Sequence, residues 1–215
     1  DKGKRIKEIQ QVAEKNNIEV VTQNTSFFRK TFSELNHQSV GIICNKRLEE
    51  NENFLENLIE KDNLLLLILE HITDPQNVGA CIRSAAAAGV DAVIVPKNRS
   101  CHLTPTVRKI SSGGAELIPF VVVTNIVRTI NKLKDAGVVI YGTNMEASKS
   151  YNDVTYSDKS ALIIGSEDKG MKRLTTESCD EIIKINMPGR IESLNASVST
   201  GIMLFEMINQ KQTRA

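Results

Sequence analysis

Apolar positions near the start of the chain recur with two periods in turn. From Arg5 to Lys15, Ile6, Ile9, Val12 and Ala13 keep helical spacing, and Ile18 to Val21 then reads as a short strand. The alternation returns with Ser26 to Leu35 as a helix, Val40 to Cys44 as a strand, and Asn53 to Glu60 as a helix carrying Phe54, Leu55, Leu58 and Ile59. This predicts a small α/β domain over residues 1–62, with the Lys61 to Asn63 break as its boundary. Because the chain opens on Asp1 with no apolar leader behind it, that domain is expected to be incomplete at its N-terminus.

Beyond the break, near-continuous apolar runs mark strands at Leu64 to Leu69, Ala92 to Val95, Leu117 to Val121, Val138 to Tyr141, Ala161 to Ile164 and Ile182 to Ile185. The third contains Pro119, which cannot donate to a ladder. Helices are expected at Val78 to Ala88, Pro105 to Ser111, Asn125 to Ala136 and Leu194 to Ile208. The last places Leu194, Val198, Ile202 and Phe205 on one side, with Asn195 and Ser199 on another. Strands of this kind alternating with helices predict a parallel sheet covered on both faces, over residues 63–215.

Composition narrows the classes without choosing one. The chain has 215 residues and 40% hydrophobic content, enough to bury a core. No apolar run approaches the roughly 18 residues of a membrane span, so a soluble, cytoplasmic protein with no membrane partner is expected. Lys plus Arg number 27 against 26 Asp plus Glu, and the net charge of +1 favours neither nucleic acid nor an acidic partner. Cys44, Cys81, Cys101 and Cys179 lie far apart and read as buried free thiols in a reducing compartment. His37, His71 and His102 show no zinc-ligand spacing, so no metal is expected.

In an open parallel sheet, ligands collect where strands end and helices begin. Four such loops are rich in small and polar residues: Asp74 to Gly79, Gly142 to Asn144, Gly165 to Gly170 and Asn186 to Gly189. Any one of them could be mere turn chemistry. Gly165 to Lys172 fails as a phosphate-binding P-loop, since Met171 stands where Lys is required and Lys172 where Ser or Thr is required. No G-x-G-x-x-G follows the first strand to support a dinucleotide-dependent oxidoreductase, and no G-x-S-x-G supports a hydrolase.

Three ordered motifs remain. Asp74-Pro75-Gln76-Asn77-Val78-Gly79-Ala80 with Arg83, then Gly165-Ser166-Glu167-Asp168-Lys169-Gly170, then Ile185-Asn186-Met187-Pro188-Gly189 with Ser193-Leu194-Asn195-Ala196-Ser197, resemble the signature motifs of the SpoU/TrmH RNA 2′-O-ribose methyltransferases. The similarity covers Leu64 to Ile208. With Thr106 to Ala115 and the N-terminal domain, it is greatest to the branch that modifies a guanosine of 23S ribosomal RNA. It implies a SPOUT-type α/β fold with a C-terminal trefoil knot, preceded by a truncated L30e-like module that selects structured RNA, with Lys4, Arg5, Lys7, Arg29 and Lys30 able to meet phosphates. It also implies a homodimer, to which the small residues Ala85 to Ala88 could contribute. The implied methyl donor is S-adenosylmethionine, held by Gly165, Ile185 and Leu194 through backbone groups, with Thr143, Asn144 and Met187 nearby. A transfer RNA methyltransferase and a non-catalytic RNA-binding or ribosome-assembly protein on the same fold are the alternatives.

The resemblance carries Arg83, Asn77, Glu167, Ser193 and Asn195 over as catalytic-site residues. A guanidinium, with a pKa above about 12, is a permanent donor, so Arg83 suits anchoring a phosphate and the forming oxyanion better than accepting a proton. Asp74 fits an N-cap and Pro75 the first helical position, which places Asn77 in an irregular entry turn near the first turn of the helix. Six residues are about 600° of helix, so Asn77 and Arg83 would not share a face if both were helical. Glu167 would orient Asn77 or Arg83, and Ser193 could equally cap the last helix. Two positions depart from the family pattern. Asn186 stands where Pro is usual, which should loosen its loop, and Ala196 stands where Val is common.

Overall fold

The computed structural model describes residues 2–33, 40–43 and 47–214. The chain divides into two compact units, Asp1–Asn45 and Lys46–Ala215. In the first, the helical periodicity is realised as α1 (Lys2–Lys15) and α2 (Thr25–Thr31). Asn24 caps α2, its Oδ1 accepting the Phe27 N–H at 2.9 Å. The strand expected at Ile18 to Val21 does not form, and residues 40–43 carry none either. Ile18, Val20 and Val21 are exposed. An apolar run becomes a strand only when a neighbour supplies ladder bonds and a face to bury, and no described residue does so here. Cys44, His37 and the expected end of the second helix, Glu34 and Leu35, lie outside the described residues.

The second unit contains, in chain order, β1 (Glu50–Asn51), α3 (Phe54–Leu58), β2 (Leu64–Leu69), α4 (Pro75–Ala87), β3 (Ala92–Pro96), α5 (Pro105–Ile110), α6 (Gly114–Leu117) and β4 (Phe120–Val123). There follow α7 (Ile126–Asp135), β5 (Val139–Thr143), β6 (Lys149–Ser150), β7 (Lys159–Ile164), α8 (Arg173–Ser178), β8 (Glu181–Lys184) and α9 (Ala196–Arg214). The strands form one parallel sheet in the order β1-β4-β3-β2-β7-β5-β8-β6. Every residue of the central β2 is buried, which explains its lack of polar alternation. Leu65, Leu67 and Leu69 enter one core with Val78, Cys81 and Ile82 of α4 and Met203, Leu204 and Met207 of α9. Leu64, Leu66 and Ile68 enter the other with Ile126, Ile130 and Leu133 of α7 and Leu55 and Leu58 of α3.

Two expectations need correction. β4 starts at Phe120, after Pro119, rather than at Leu117, which ends α6 and is exposed. Helix α9 begins at Ala196 and buries Ala196, Thr200, Met203, Leu204 and Met207, while Val198 and Phe205 remain 48% and 51% exposed. Both stripes have helical spacing. The buried one contains smaller residues, Ala196 and Thr200, which let α4 approach closely, and the Thr200 hydroxyl is satisfied by the Ala196 carbonyl at 2.7 Å.

The approach to β1 is held by His102, whose Nδ1 lies 2.9 Å from Glu49 Oε2 and whose Nε2 lies 3.1 Å from the Lys97 carbonyl. The Glu49 hydrogen bond, more than any other influence, raises the imidazole pKa above its ordinary value.

Helices α4 and α5 touch at Gly79, where a Cβ would stand 2.7 Å from Ile110 Cβ and 3.0 Å from the Val107 carbonyl. Gly79→Ala should therefore cost about 1–3 kcal/mol by overpacking. At Gly201 on α9, a Cβ would meet nothing nearer than Ser84 Oγ at 3.7 Å. Gly201→Ala should gain up to about 1 kcal/mol of helix propensity. Urea denaturation of the two variants should shift the midpoint in opposite directions.

Candidate active site

The loops at the C-terminal ends of β2, β7, β5 and β8 carry the sequence-selected residues. After β2, Asp74 caps α4 by accepting the Gln76 N–H at 3.0 Å, and Pro75 occupies the first helical position. This early start makes Asn77 the third residue of α4 and not part of an irregular turn. Asn77 and Arg83 are therefore both helical and point roughly 120° apart. Arg83 is exposed and makes no hydrogen bond or ion pair with another described residue.

Asn77 points toward the loop after β7, where one carboxylate oxygen gathers three donors. Glu167 Oε1 accepts from Asn77 Nδ2 at 3.1 Å, Asn195 Nδ2 at 2.7 Å and the Ala196 N–H at 3.0 Å. Asn195 Nδ2 also donates to Asn77 Oδ1 at 2.8 Å. Asn195 Oδ1 accepts from the Ser197 N–H at 2.9 Å and from Ser197 Oγ at 2.6 Å. Asn195, rather than Ser193, is thus the cap of α9. Three catalytic-site candidates, Asn77, Glu167 and Asn195, meet in this network, and Arg83 and Ser193 do not.

Beside the network, a groove of about 290 Å³ is lined by Thr143, Asn144, Gly165, Ile185, Met187 and Leu194, with Ser193 at its edge. All six residues named for the cofactor are brought together. Ile164 and Met203 add apolar wall. No main-chain hydrogen bond joins Gly165, Ile185 or Leu194 to another described residue, so their amides and carbonyls can serve a ligand. A Cβ on Gly165 would fall 2.3 Å from the Gly170 carbonyl carbon, so only glycine lets the two ends of this loop meet. The Thr143 hydroxyl is occupied, donating to the Ile163 carbonyl at 3.0 Å. Asn186 ties its loop to β6 through Ser150 Oγ at 3.1 Å, a hydrogen bond where a proline ring was expected to give rigidity.

Sequence reasoning missed Glu70. It is 1% exposed at the end of β2, and its carboxylate accepts the Lys172 N–H at 2.9 Å and Thr175 Oγ1 at 2.7 Å. A lone acid ending an apolar run looks like a solvent boundary, and no local signal pairs it with residues so far away. Among the described residues, no thiol lines the groove. Burial pushes the Cys81 thiol up to about 11 and the Cys179 thiol up to about 12, which keeps both protonated at neutral pH.

A profile of the SpoU rRNA Methylase family matches residues 64–205. The chain is 43% identical over 212 residues to the 23S rRNA (guanosine-2′-O-)-methyltransferase RlmB of Xanthomonas campestris pv. campestris, covering 98% of this chain and 85% of that one. It is 46% identical over 177 residues to the RlmB of Photobacterium profundum, covering 82% and 72%. Among solved structures, the AdoMet-bound rRNA methyltransferase from Sinorhizobium meliloti superposes with a TM-score of 0.78 at 26% identity, over 94% of this chain and 77% of that one. The AdoMet complex of AviRb from Streptomyces viridochromogenes gives 0.69 at 25% identity, over 74% of this chain and 65%, under two thirds, of that one.

Glu167→Ala would leave the Ala196 N–H and two amides to water, at a cost of about 1 kcal/mol because the site is exposed. Hydrogen exchange at the Ala196 amide should quicken by about tenfold or more while Tm falls only about 2–4 °C. Unchanged exchange would show that Glu167 does not hold the start of α9.

Proposed function

The chain belongs to the SpoU rRNA Methylase family, and on that premise we propose that it methylates the ribose 2′-oxygen of a guanosine in 23S ribosomal RNA, using S-adenosylmethionine. The observation that carries this reading is the shared wall between the groove and the polar network, the loop from Ser166 to Met171. The extent of similarity to proteins named RlmB supports the substrate.

The groove suits the donor. Main-chain groups of Gly165, Ile185 and Leu194 fit the edge of an adenine, and Ile164, Ile185 and Met203 supply an apolar slot for its ring. When bound, the donor supplies an electrophilic methyl carbon on a cationic sulfur. The chain's own residues orient the acceptor. Glu167 fixes the Asn77 and Asn195 amides so that they need not reorganise when the ribose hydroxyl arrives. Ser193, at the rim of the groove, offers a hydroxyl that can hydrogen-bond the substrate. Arg83, which has no hydrogen-bond or ion-pair partner among the described residues, presents a permanent positive charge to a phosphate and to the charge that develops as the 2′-oxygen loses its proton.

The same reading includes the finer architecture. β8 lies between β5 and β6 in the sheet although it follows both in the chain, and this order supports a C-terminal trefoil knot. On this reading the first unit, Asp1–Asn45, is the L30e-like RNA-binding module and the second, Lys46–Ala215, the catalytic domain; the division falls before β1 and not at the Lys61 to Asn63 break, because β1 pairs with β4 and Leu55 and Leu58 of α3 enter the core of the sheet. Similarity to RlmB across 98% of the chain supports that division of labour. The enzyme works as a cytoplasmic homodimer, and the exposed Val198 and Phe205 of α9 supply an apolar face for the second copy.

Labelled donor incubated with 23S ribosomal RNA should deliver label to a guanosine 2′-oxygen. Arg83→Ala should lower kcat/KM by about 100-fold or more while leaving the cofactor Kd within twofold, and equal turnover would remove Arg83 from the mechanism. Phe205→Glu should convert a dimer to a monomer in sedimentation, and an unshifted dimer would place the interface elsewhere.

A further inference from the structure

A second, larger cavity of about 610 Å³ lies on the other side of the Ser166–Met171 loop. It is lined from β2 and α4 by His71, Thr73, Asp74 and Asn77, from the loop after β3 by Arg99, and from the loop after β7 by Ser166 to Lys172. Its position follows from topology. The connection leaving β2 runs to β3 on one side, and the connection leaving β7 runs to β8 on the other. The crevice between them is the switch point of the sheet, where ligands of open α/β folds bind.

The backbone at this cavity is strained. His71 and Arg99 both occupy the left-handed region, at φ 57° and 56°, although neither is glycine. Such conformations are sparsely populated for side-chain-bearing amino acids and gather where geometry serves a ligand. The two are joined, His71 Nδ1–H donating to the Arg99 carbonyl at 3.2 Å. The buried Glu70, adjacent to His71 in the chain, accepts the Lys172 N–H at 2.9 Å, so one acid ties the segment after β2 to the far end of the loop after β7. The Arg99 guanidinium makes no hydrogen bond or ion pair with another described residue.

We propose that this cavity receives the target nucleobase and that Arg99 is its specificity-determining residue, reading the O6/N7 edge of guanine. The inference rests on the methyltransferase reading for the identity of the substrate and extends it to the subsite. A forked guanidinium matches two adjacent acceptors, which guanine offers on that edge and adenine does not. Asn77 lines the same cavity and Glu167 lines both cavities, so a base seated here brings its ribose to the loop that separates it from the donor.

The test uses the full chain and 8-azidoguanosine 5′-monophosphate as photoprobe. Label should fall on segments 71–77 or 97–100, and guanosine monophosphate should compete at least tenfold better than adenosine monophosphate. Arg99→Ala and Arg99→Lys should both lose that preference, the lysine variant because it keeps charge without the fork. With 23S ribosomal RNA, Arg99→Ala should lower kcat/KM about 10- to 100-fold and leave the cofactor Kd within twofold. Label on the Gly165 and Leu194 groove, no label at saturating probe, or an undiminished guanine preference in Arg99→Ala would overturn the proposal. A chain labelled in the cavity that transfers no methyl would instead overturn the methyltransferase reading and leave the subsite standing.

Discussion

One carboxylate oxygen holds this site together. Glu167 Oε1 binds a donor from α4, a side-chain amide from the loop before α9, and the first backbone amide of α9 itself. A parallel sheet sends its crossover connections to separate places, so loops that leave neighbouring strands have no covalent reason to stay together. Here an ionised acceptor supplies one, with hydrogen bonds stronger than neutral pairs of the same geometry. Glu70 does the corresponding work at the other end of the same loop by taking the Lys172 N–H from beneath. The Ser166–Met171 segment is therefore anchored at both ends, and it is the segment that both cavities share.

Such anchoring has value only on a rigid base. β2 supplies it, because every one of its residues is buried and its two faces feed the two cores. Glycine and small residues then set the heights of the surrounding helices. Gly79 admits Ile110 against α4, and Gly142 lies so close to Cys179 and Met171 that a Cβ would fall 2.6 Å from each. The site gains position from packing and charge from exposed groups. Burial keeps the Cys81 and Cys179 thiols protonated at neutral pH, so neither serves as a nucleophile there.

What the sequence discloses follows the range of the forces involved. β2, β3 and β7 are legible to within two residues because strands buried on both faces are continuous apolar runs, and the cap and proline that open α4 are legible because they act locally. The face of α9 is not, since two stripes of equal period compete and only the fit against α4 decides between them. Among the described residues of the first unit no strand forms for a related reason, as no described residue offers the apolar runs a ladder partner. At the site, the family resemblance carried by the three motifs, and no local physical signal, points to the six groove residues and to Asn77, Glu167 and Asn195. Glu70 lies more than a hundred residues from Lys172 and Thr175, and the left-handed backbone of His71 and Arg99 leaves no compositional mark.

The placement of Arg83 bears on its role. Six residues at about 1.5 Å each put it roughly 9 Å further along α4 than Asn77, and turned away from it. At that separation the guanidinium reaches the amide cluster only by extending its side chain back toward the start of α4. In the proposed mechanism a guanidinium there meets a phosphate flanking the target nucleotide, while the amides meet the sugar. Charge at such range still acts on an oxyanion, because the 1/r falloff is gentle where water is excluded by bound RNA. On this reading Arg83 stabilises developing charge only once the RNA covers the site. The exposed guanidinium of the free chain and the charge-stabilising guanidinium of the proposed mechanism are then the same residue at two stages of binding.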